Sequence, residues 1–439
     1  GLKQSRVWEG TFPADHPYHH STIGSMADLD AASLEDVKGW FETYYGAANA
    51  VLVMSGDVSV EQARQLAEQY FGHIPAGPPV ARVESWVPVK TVDTEELMYD
   101  NVPQTVVSWN WPVTGSNGDD AEALRAAAQI LGLGKSSRLY QELVQERQLA
   151  SSANVSYQGF EIAGLFSIDV TLKDGVDPAE VEQIIDAQIA DFLKDGPSRD
   201  ELDRVKAVYY SNMVRAFQSI SIRGHALAQS ELFAGDPGAY ADDLDKFEAL
   251  TPAATLAAAR KNLAGGKHML TIVPFGEHAA SAEDARPESL PGLKAEADLV
   301  MPEVVSTTLS NGIKVNLVER PTLPLVEMAM SFDAGAAAEQ NFKPGLASFT
   351  LGLMDEGTKK YTSKELAEAK DSLGANISAY SDDDTTRIAL SATARQLRPS
   401  IDLWAEYIRN PAFRNEDLER DKALTLSALS RSQADPGSI

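Results

Sequence analysis

Histidines are the first residues in this chain that could do chemistry, because three of the seven lie close together near its beginning. His16, His19 and His20 fall within five positions and could be taken for metal ligands. Pro17 lies between them, so no helix can place two imidazoles on one face at i and i+4, the arrangement of zinc hydrolases. We therefore predict no metal role for them, nor for the isolated His73, His225, His268 and His278.

Other motifs with catalytic or nucleotide-binding potential are incomplete. Gly134-Lys135-Ser136 resembles a phosphate loop, but the Walker pattern requires Gly at the position of Gln129. Neither Gly-x-Ser-x-Gly nor His-Glu-x-x-His occurs in the 439 residues. Because the sequence has no cysteine, it can form neither disulfides nor thiolate zinc sites. The motifs thus predict no catalytic, cofactor-binding or metal-binding residue in this chain.

Composition and charge restrict the class of protein and its partners. A chain of 439 residues is expected to form two to four domains, because single cores stop growing beyond roughly 250 residues. Acidic residues outnumber basic ones by 64 to 38, and the net charge of -26 repels nucleic-acid phosphates and anionic lipids. No apolar stretch is long enough for a membrane span. We expect no nucleic-acid partner; the charge either keeps the surface solvated or attracts basic peptides.

A helix followed by a strand occurs twice and indicates a duplicated domain. Ser33 and Asp36 form a capping box for the first helix, and Ala50 to Met54 is predicted as the strand after it. Thr251 begins the second helix, and Met269 to Val273 is its predicted strand. The offset of 218 between Ser33 and Thr251 fits a duplicated domain of about 200 residues. We expect both units to fold alike.

The remaining elements alternate between strands and capped helices, which is typical of an α+β fold with antiparallel sheets. Asn311-Gly312 predicts a hairpin turn, and Val326 to Phe332 is expected to continue the same sheet. Other predicted elements are strands at Thr105 to Trp111 and Leu165 to Leu172, and helices beginning near Ser59, Asp120, Ser198, Gly345, Thr362 and Asn415.

Motifs along almost the whole chain resemble the insulinase/pitrilysin family of zinc metallopeptidases, also called inverzincins. Residues 16–57 resemble the later half of a catalytic-type domain, residues 132–202 a second-type domain, and residues 309–375 the opening of another catalytic-type domain. The matching motifs are His16-Pro17-Tyr18, Tyr44-Tyr45-Gly46, Gly56-Asp57, Gly132-Leu133-Gly134-Lys135-Ser136, Gly196-Pro197-Ser198, Leu309-Ser310-Asn311-Gly312, Gly345-Leu346-Ala347 and Glu356-Gly357-Thr358.

The resemblance implies a clamshell peptidase of the bacterial two-repeat type, with duplicated α+β domains whose antiparallel sheets are flanked by helices. We expect residues 1–88 to be the later half of the first catalytic-type domain and 89–280 an inactive, structural second-type domain. Residues 281–302 would be a linker, and 303–439 the earlier half of a degenerate catalytic-type domain. Both ends look cut from a longer protein. The first and last segments would be complementary halves of one domain type, able to associate within or between chains.

The zinc-binding positions of this family can be located in the last segment. The family holds zinc with an inverted His-x-x-Glu-His on a helix and a later Glu. The register set by Gly345-Leu346-Ala347 puts Ser348, Leu351 and Gly352 at these three positions, and none can bind zinc or activate water. Ala423 to Gln433, where the third ligand belongs, contains no carboxylate. The resemblance thus implies a decayed site whose Leu351 should join apolar packing.

Other residue roles and the cofactor also follow from the resemblance. An Arg and a Tyr that the family draws from a second-type domain toward substrate correspond to Val144 and Ser151, so the parent would take that pair from a fourth domain. Zinc is expected in the parent protein, with ligands upstream of Gly1. We also expect Met354 to pack with Leu351, and the Ser348 hydroxyl to meet a local partner or water.

The function implied is that of part of a zinc-dependent metallo-endopeptidase acting on peptides or unfolded polypeptides, in a Gram-negative periplasm. The alternative is a non-catalytic peptide-binding or assembly subunit of the same family; an unrelated acidic α+β binding protein is a third possibility. Expected partners are polypeptide substrates and the remaining domains of the parent chain or a second copy. A His-x-x-Glu-His upstream of Gly1 would separate the first two hypotheses.

Overall fold

The computed structural model describes residues 2–81, 83–274, 304–319 and 323–434. The predicted linker, 281–302, lies outside the described residues. Helices and mainly antiparallel strands alternate along the chain, which confirms the α+β class. None of the described helices is both long and apolar enough to cross a bilayer.

The chain begins with four helices that precede the first sheet. The predicted capping boxes are present: the Ser33 hydroxyl accepts from the Asp36 amide at 3.2 Å, and Ser59 and Gln62 make the same reciprocal pair. Residues 19–81 bury very few of their apolar side chains. The helices are α1 (Leu2–Thr11), α2 (Met26–Ala31), α3 (Leu34–Tyr44) and α4 (Val60–Phe71).

Residues 94–274, the first unit, form a five-stranded sheet with helices on one face. Its elements are β1 (Thr94–Asp100), β2 (Val106–Val113), α5 (Ala121–Gly132), a π-helix (Tyr140–Glu146), β3 (Ala150–Gly159), β4 (Gly164–Leu172), α6 (Pro178–Asp195), α7 (Arg199–Ala216), α8 (Ile220–Ala234), α9 (Ala239–Ala249), α10 (Pro252–Leu263) and β5 (His268–Pro274). The strand order is β1-β5-β2-β4-β3, with β5 parallel to β1 and antiparallel to β2.

The core of the first unit lies between this sheet and its helices. Trp109 and Trp111 alternate along β2 toward this core, and both are almost fully buried against side chains such as Leu124 of α5. The opposite face of the sheet is covered by α1, where Val7 and Phe12 pack against β5. Both tryptophans lie in the strand predicted at Thr105 to Trp111, which is confirmed.

Residues 304–434 form the second unit, whose elements from residue 325 onward follow the same order as those of the first unit from β2 to α7. The elements are β6 (Val304–Thr308), β7 (Lys314–Val318), β8 (Leu325–Phe332), α11 (Leu346–Met354), α12 (Ser363–Leu373), β9 (Asn376–Ser381), β10 (Thr386–Thr393), α13 (Leu397–Arg409) and α14 (Asn415–Ala434). The predicted turn is confirmed, since Gly312 (φ +90) joins β6 to β7. The expectation that β8 continues that sheet is wrong, because β8-β10-β9 forms a separate sheet. In the first sheet β5 lies between β1 and β2, and the described residues of the second unit include no counterpart of β5.

The strand predicted at Ala50 to Met54 is also wrong. Residues 51–55 form no strand and pair with none of the described strands, and Leu52 is 53% exposed. A strand exists only with a hydrogen-bonded neighbour, so an apolar run that meets none stays unpaired whatever its propensity. The expectation that Ser33–Asp57 and Thr251–Gly276 fold as equivalent units therefore fails at this strand.

The two units are joined along α7 and α12, which pack side by side. Arg215, near the end of α7, donates to the Ser391 hydroxyl at 2.8 Å and to the Gly374 carbonyl at 2.6 Å. This guanidinium thereby binds both the end of α12 and strand β10. The contact positions the helices that carry the candidate site.

Candidate functional site

The helix expected to correspond to a zinc-binding helix is α11. Leu351 is 8% exposed and packs with Met354 in the core of the second unit, as predicted. Ser348 and Gly352 are exposed, so the Ser348 hydroxyl faces solvent. The three positions share one helix face by their i, i+3, i+4 spacing, yet they offer one hydroxyl and no imidazole or carboxylate. This face of α11 cannot hold a zinc ion.

A carboxylate that sequence reasoning missed lies beside this face. A Cβ atom on Gly352 would be 3.5 Å from Asp421 Oδ2, which α14 supplies. Asp421 lies two residues before Ala423–Gln433, the stretch in which the resemblance implied the third ligand. Burial raises the pKa of Asp421, and the nearby Glu356 carboxylate adds to the effect. Two helices thus meet at the position where the resemblance implied a zinc site, and the described residues include no group of three possible ligands there.

Next to this position, a cluster of charged side chains joins the two units. Lys135, from the loop that resembled a phosphate loop, contacts Glu356 at 2.6 Å and Asp355 at 3.0 Å. Arg420 of α14 donates to Glu356 at 2.6 Å, and Lys370 of α12 donates to Asp355 at 2.6 Å. Lys135 thus neutralises protein carboxylates and is not free to bind a phosphate. We call Lys135, Asp355, Glu356, Lys370, Asp417 and Arg420 the charge cluster.

The central members of the charge cluster stay ionised at neutral pH. Burial alone would raise the pKa of Glu356, but Lys135 and Arg420 outweigh it and hold the pKa below its ordinary value. The pKa of Asp355 is also held below its ordinary value, because the attraction of Lys135 and Lys370 lowers it by more than burial raises it. For Lys135, burial lowers the pKa while the two carboxylates raise it, with a net rise. The cluster therefore acts as a fixed electrostatic contact, since none of these three groups titrates near pH 7.

Val144 and Ser151, the positions that correspond to the Arg and Tyr that the family draws toward substrate, lie at different depths in the first unit. Val144 is 1% exposed in the core of the first unit. The Ser151 hydroxyl donates to Gln104 Oε1 at 3.1 Å, and Gln104 Nε2 donates to the Ser427 hydroxyl of α14 at 3.1 Å. Ser151 is thus connected to the helix that borders the α11 face. The structure connects one of the two positions to α14 and leaves the other in the core.

The clustered histidines near the beginning make structural contacts. His16 Nδ1 accepts from the Tyr18 amide at 3.0 Å, so Nε2 carries the proton and donates to the Trp86 carbonyl at 2.9 Å. His19 Nδ1 donates to the Phe12 carbonyl at 2.8 Å. The His16 ring joins parts of the backbone that are 70 residues apart, and the His19 ring binds the residue that follows α1.

A lone histidine, His268, lies deep in the first sheet. It is 2% exposed and its Nδ1 is 3.1 Å from the Thr94 hydroxyl. Burial lowers its pKa to about 4, and Lys90 contributes to the shift. The ring is therefore neutral at physiological pH. In the described parts of the chain, no three His, Asp or Glu side chains are grouped so that they could hold a metal ion.

Comparisons with known proteins match two parts of the chain to one peptidase family. Residues 31–209 match the model of the peptidase M16 inactive domain, and residues 314–437 match the model of insulinase, peptidase family M16. The zinc protease PqqE of Helicobacter pylori is 27% identical over 209 residues, which are 47% of this chain and 47% of that protein. This chain therefore spans about half the length of the protease that it matches.

Two other similarities come from a respiratory complex and a solved structure. Subunit 1 of the mitochondrial cytochrome b-c1 complex of Bos taurus is 27% identical over 135 residues, 31% of this chain and 28% of that subunit. The crystal structure of a protease from Helicobacter pylori superposes with a TM-score of 0.57 at 22% identity, covering 62% of this chain and 66% of that one. The fold is thus shared with a known peptidase. The two matched models lie on separate parts of the chain and describe domains of one family, so this chain belongs to peptidase family M16, the insulinase family.

Proposed function

We propose that this chain is the non-catalytic part of a zinc-dependent metallo-endopeptidase that hydrolyses peptides or unfolded polypeptides. The observation that carries the proposal is the α11 face, where the family's ligand positions hold Ser348, Leu351 and Gly352 and Leu351 is built into the core. A side chain used for packing is not available for catalysis. The domain boundaries proposed from the sequence, 1–88, 89–280, 281–302 and 303–439, belong to the same proposal.

In this proposal the zinc ion is bound by the parent protein, outside the described residues of this chain. In this family the metal polarises a peptide carbonyl and activates water. The described residues do not fit the ion: Asp421 lies beside the α11 face, and no three His, Asp or Glu side chains among these residues are grouped so that they could hold a metal. We propose that residues preceding Gly1 hold the zinc, and that this chain contributes domains that enclose the polypeptide.

Chelator-sensitive cleavage of a quenched peptide by the full-length parent tests this function. We expect turnover in the parent and none in the 439-residue chain. A variant of the parent carrying Ser348→Ala and Asp421→Asn should keep full turnover, because neither group takes part in catalysis. A variant with its upstream His-x-x-Glu-His motif disabled should lose turnover. Loss of activity with Ser348→Ala and Asp421→Asn would place catalysis in the second unit and overturn the proposal.

The second candidate function is that of a non-catalytic peptide-binding or assembly subunit. The observation that favours it is the similarity to cytochrome b-c1 complex subunit 1, a component of a multi-subunit complex, together with the decayed α11 face. If the full-length parent has no His-x-x-Glu-His and binds but does not cleave unfolded polypeptides, this second function is the correct one.

Partners and location complete the proposal. We propose that the chain contacts polypeptide substrates and the remaining domains of its parent or a second copy, and that it works in the periplasm. The net charge of -26 supports partners that are not anionic polymers. Fractionation of the native cells, followed by detection of the parent with an antibody, tests the location.

A further inference from the structure

A cavity of about 220 Å³ lies where the two units meet. Helices α5 and α7 of the first unit, with the loop after α5, form most of its wall, and α12 of the second unit contributes Asp371. The volume is smaller than the roughly 300–1,000 Å³ of pockets for drug-sized ligands. The cavity therefore has room for a molecule of the size of one amino acid and not for a length of polypeptide chain.

The side chain of Gln129, on α5, brings a free hydrogen-bond acceptor to this cavity. Its Oε1 atom is buried from solvent and meets no donor among the described residues. A buried acceptor without a partner is destabilising, and native proteins contain few of them. The cavity thus offers an acceptor to a ligand that carries an N–H group.

The Asp371 carboxylate, which lines the same cavity, has no cation of its own within the described parts of the chain. It accepts a hydrogen bond from the Ser136 hydroxyl. Lys370 and Arg204 attract it from a distance, but each forms its ion pair with another carboxylate of the second unit. Burial raises the pKa of Asp371 by more than these three groups lower it. A positively charged ligand group would compensate the buried charge.

A guanidinium group and aliphatic side chains complete the lining. The Arg204 side chain is 17% exposed, and its contact with Glu368, at 3.7 Å, is too long for a hydrogen bond. Its N–H groups donate to no other described residue, so they are available to an anionic group. Ile130 and Val205 are buried and line the cavity, and Leu133 is 48% exposed there. The lining thus combines an anion, a free acceptor, a cation and an apolar surface.

We propose that this cavity binds a free amino acid with an aliphatic side chain. The ammonium group of the ligand donates to the Asp371 carboxylate and to Gln129 Oε1, and its carboxylate accepts from Arg204. Its side chain lies against Ile130 and Leu133 and removes apolar surface from water. Because the cavity wall comes from both units, the bound amino acid strengthens the contact between them. The site requires neither the zinc centre nor the proposed peptidase activity.

Calorimetric titration of the purified chain with L-leucine tests the chemistry of the site. We expect saturable binding of one equivalent. Leucinamide, which lacks the carboxylate, and isocaproate, which lacks the ammonium group, should each bind about 10-fold more weakly or worse, because each loses a charged hydrogen bond. Glycine should also bind more weakly, because it has no side chain to cover Leu133. Absence of saturable leucine binding, or an analogue that binds as tightly as leucine, would overturn the proposal.

Hydrogen exchange tests whether the ligand contacts both units. Saturating leucine should slow the exchange of amides in α12, because opening of this helix removes Asp371 from the bound ligand. Exchange of α12 that leucine leaves unchanged would contradict a site shared by the two units.

Variants of the lining separate binding from folding. Asp371→Asn keeps an acceptor for the Ser136 hydroxyl but removes the charge, and Gln129→Leu removes the free carbonyl; each should weaken leucine binding about 10-fold or more. Without ligand, Gln129→Leu should be at least as stable as the original chain, since it deletes a buried acceptor that has no donor. The matched control is Asp191→Asn, at an exposed position of α6 away from the cavity, and should leave binding unchanged. Asp371→Asn and Gln129→Leu variants that fold normally by circular dichroism and bind leucine as tightly as this control would overturn the proposal.

Discussion

Replacing Glu356 by glutamine should weaken the contact between the two units more than any replacement of an exposed charge. Glu356 is 7% exposed and accepts hydrogen bonds from Lys135, Arg420 and Ser363. The glutamine side chain would keep one acceptor oxygen, but its amide group would face cationic donors. The substitution Glu356→Gln therefore tests whether the charge cluster is a stabilising contact.

The expected magnitude follows from these three contacts. A hydrogen bond to a charged group contributes about 1.5–3 kcal/mol and a neutral one about 1 kcal/mol, so the difference for two such bonds is about 1–4 kcal/mol, and the loss lies below the upper value because Lys135 and Arg420 keep their charge. The misplaced amide adds about 1 kcal/mol for a buried group without a partner. Asp355 and Asp417 still neutralise Lys135 and Arg420, so the loss stays below the roughly 3–5 kcal/mol of an unpaired buried ion. We expect the free energy of local opening to fall by about 2–4 kcal/mol.

Hydrogen exchange measured by mass spectrometry is the suitable assay, because it gives a local opening free energy for residues 346–373 and 415–434. The matched control is Asp402→Asn, which removes an ion pair with Arg398 whose side chains are 71% and 89% exposed. That control should change the opening free energy by no more than about 0.5 kcal/mol. If Glu356→Gln has an effect as small as the control, the charge cluster does not stabilise the contact and the reasoning is wrong.

Two further predictions concern pH and the decayed site. The folded protein holds the pKa of Glu356 below its ordinary 4.5. The stability that Glu356 contributes is therefore complete above pH 4.5 and is lost as the pH falls through the lower folded pKa. The pKa of Lys135 is raised, so the stability that Lys135 contributes persists up to pH 10.5 and beyond. The opening free energy of residues 346–373, obtained from exchange rates corrected for the intrinsic pH dependence of amide exchange, should therefore fall only below about pH 4.5, and a fall between about pH 5 and 8 would contradict this. Ser348→His, Leu351→Glu and Gly352→His together should destabilise the second unit by about 3 kcal/mol or more, since a carboxylate replaces a packed side chain, and should give no peptidase. Chelator-sensitive turnover by this triple variant, in a parent with its upstream zinc motif disabled, would show that the site has not decayed.

The local features of the fold could be predicted from the sequence because they depend on neighbours in the chain. The capping boxes at Ser33, Ser198 and Thr362 are present, since an N-cap and the residue three positions later satisfy each other without tertiary help. The Asn311-Gly312 turn is present because only its own backbone must reach a positive φ.

Features that depend on a distant partner were not predictable in this way. The run at Ala50 to Met54 has the composition of a strand but no neighbouring strand to pair with among the described residues. Asp421 was missed because its proximity to Gly352 depends on how α14 crosses α11, which no spacing along the chain records. The signal that could have revealed the charge cluster was Asp355-Glu356, an acidic pair directly after an apolar helix, which required basic partners if buried.

The claim that this chain is the non-catalytic part of a zinc peptidase is tested most directly by measuring zinc and cleavage on the same purified 439-residue sample. After loading with zinc and exhaustive dialysis, we expect far less than one equivalent of retained metal by mass spectrometry and no chelator-sensitive cleavage of a quenched peptide. Stoichiometric zinc held with nanomolar affinity, accompanied by turnover that a chelator abolishes, would contradict the account.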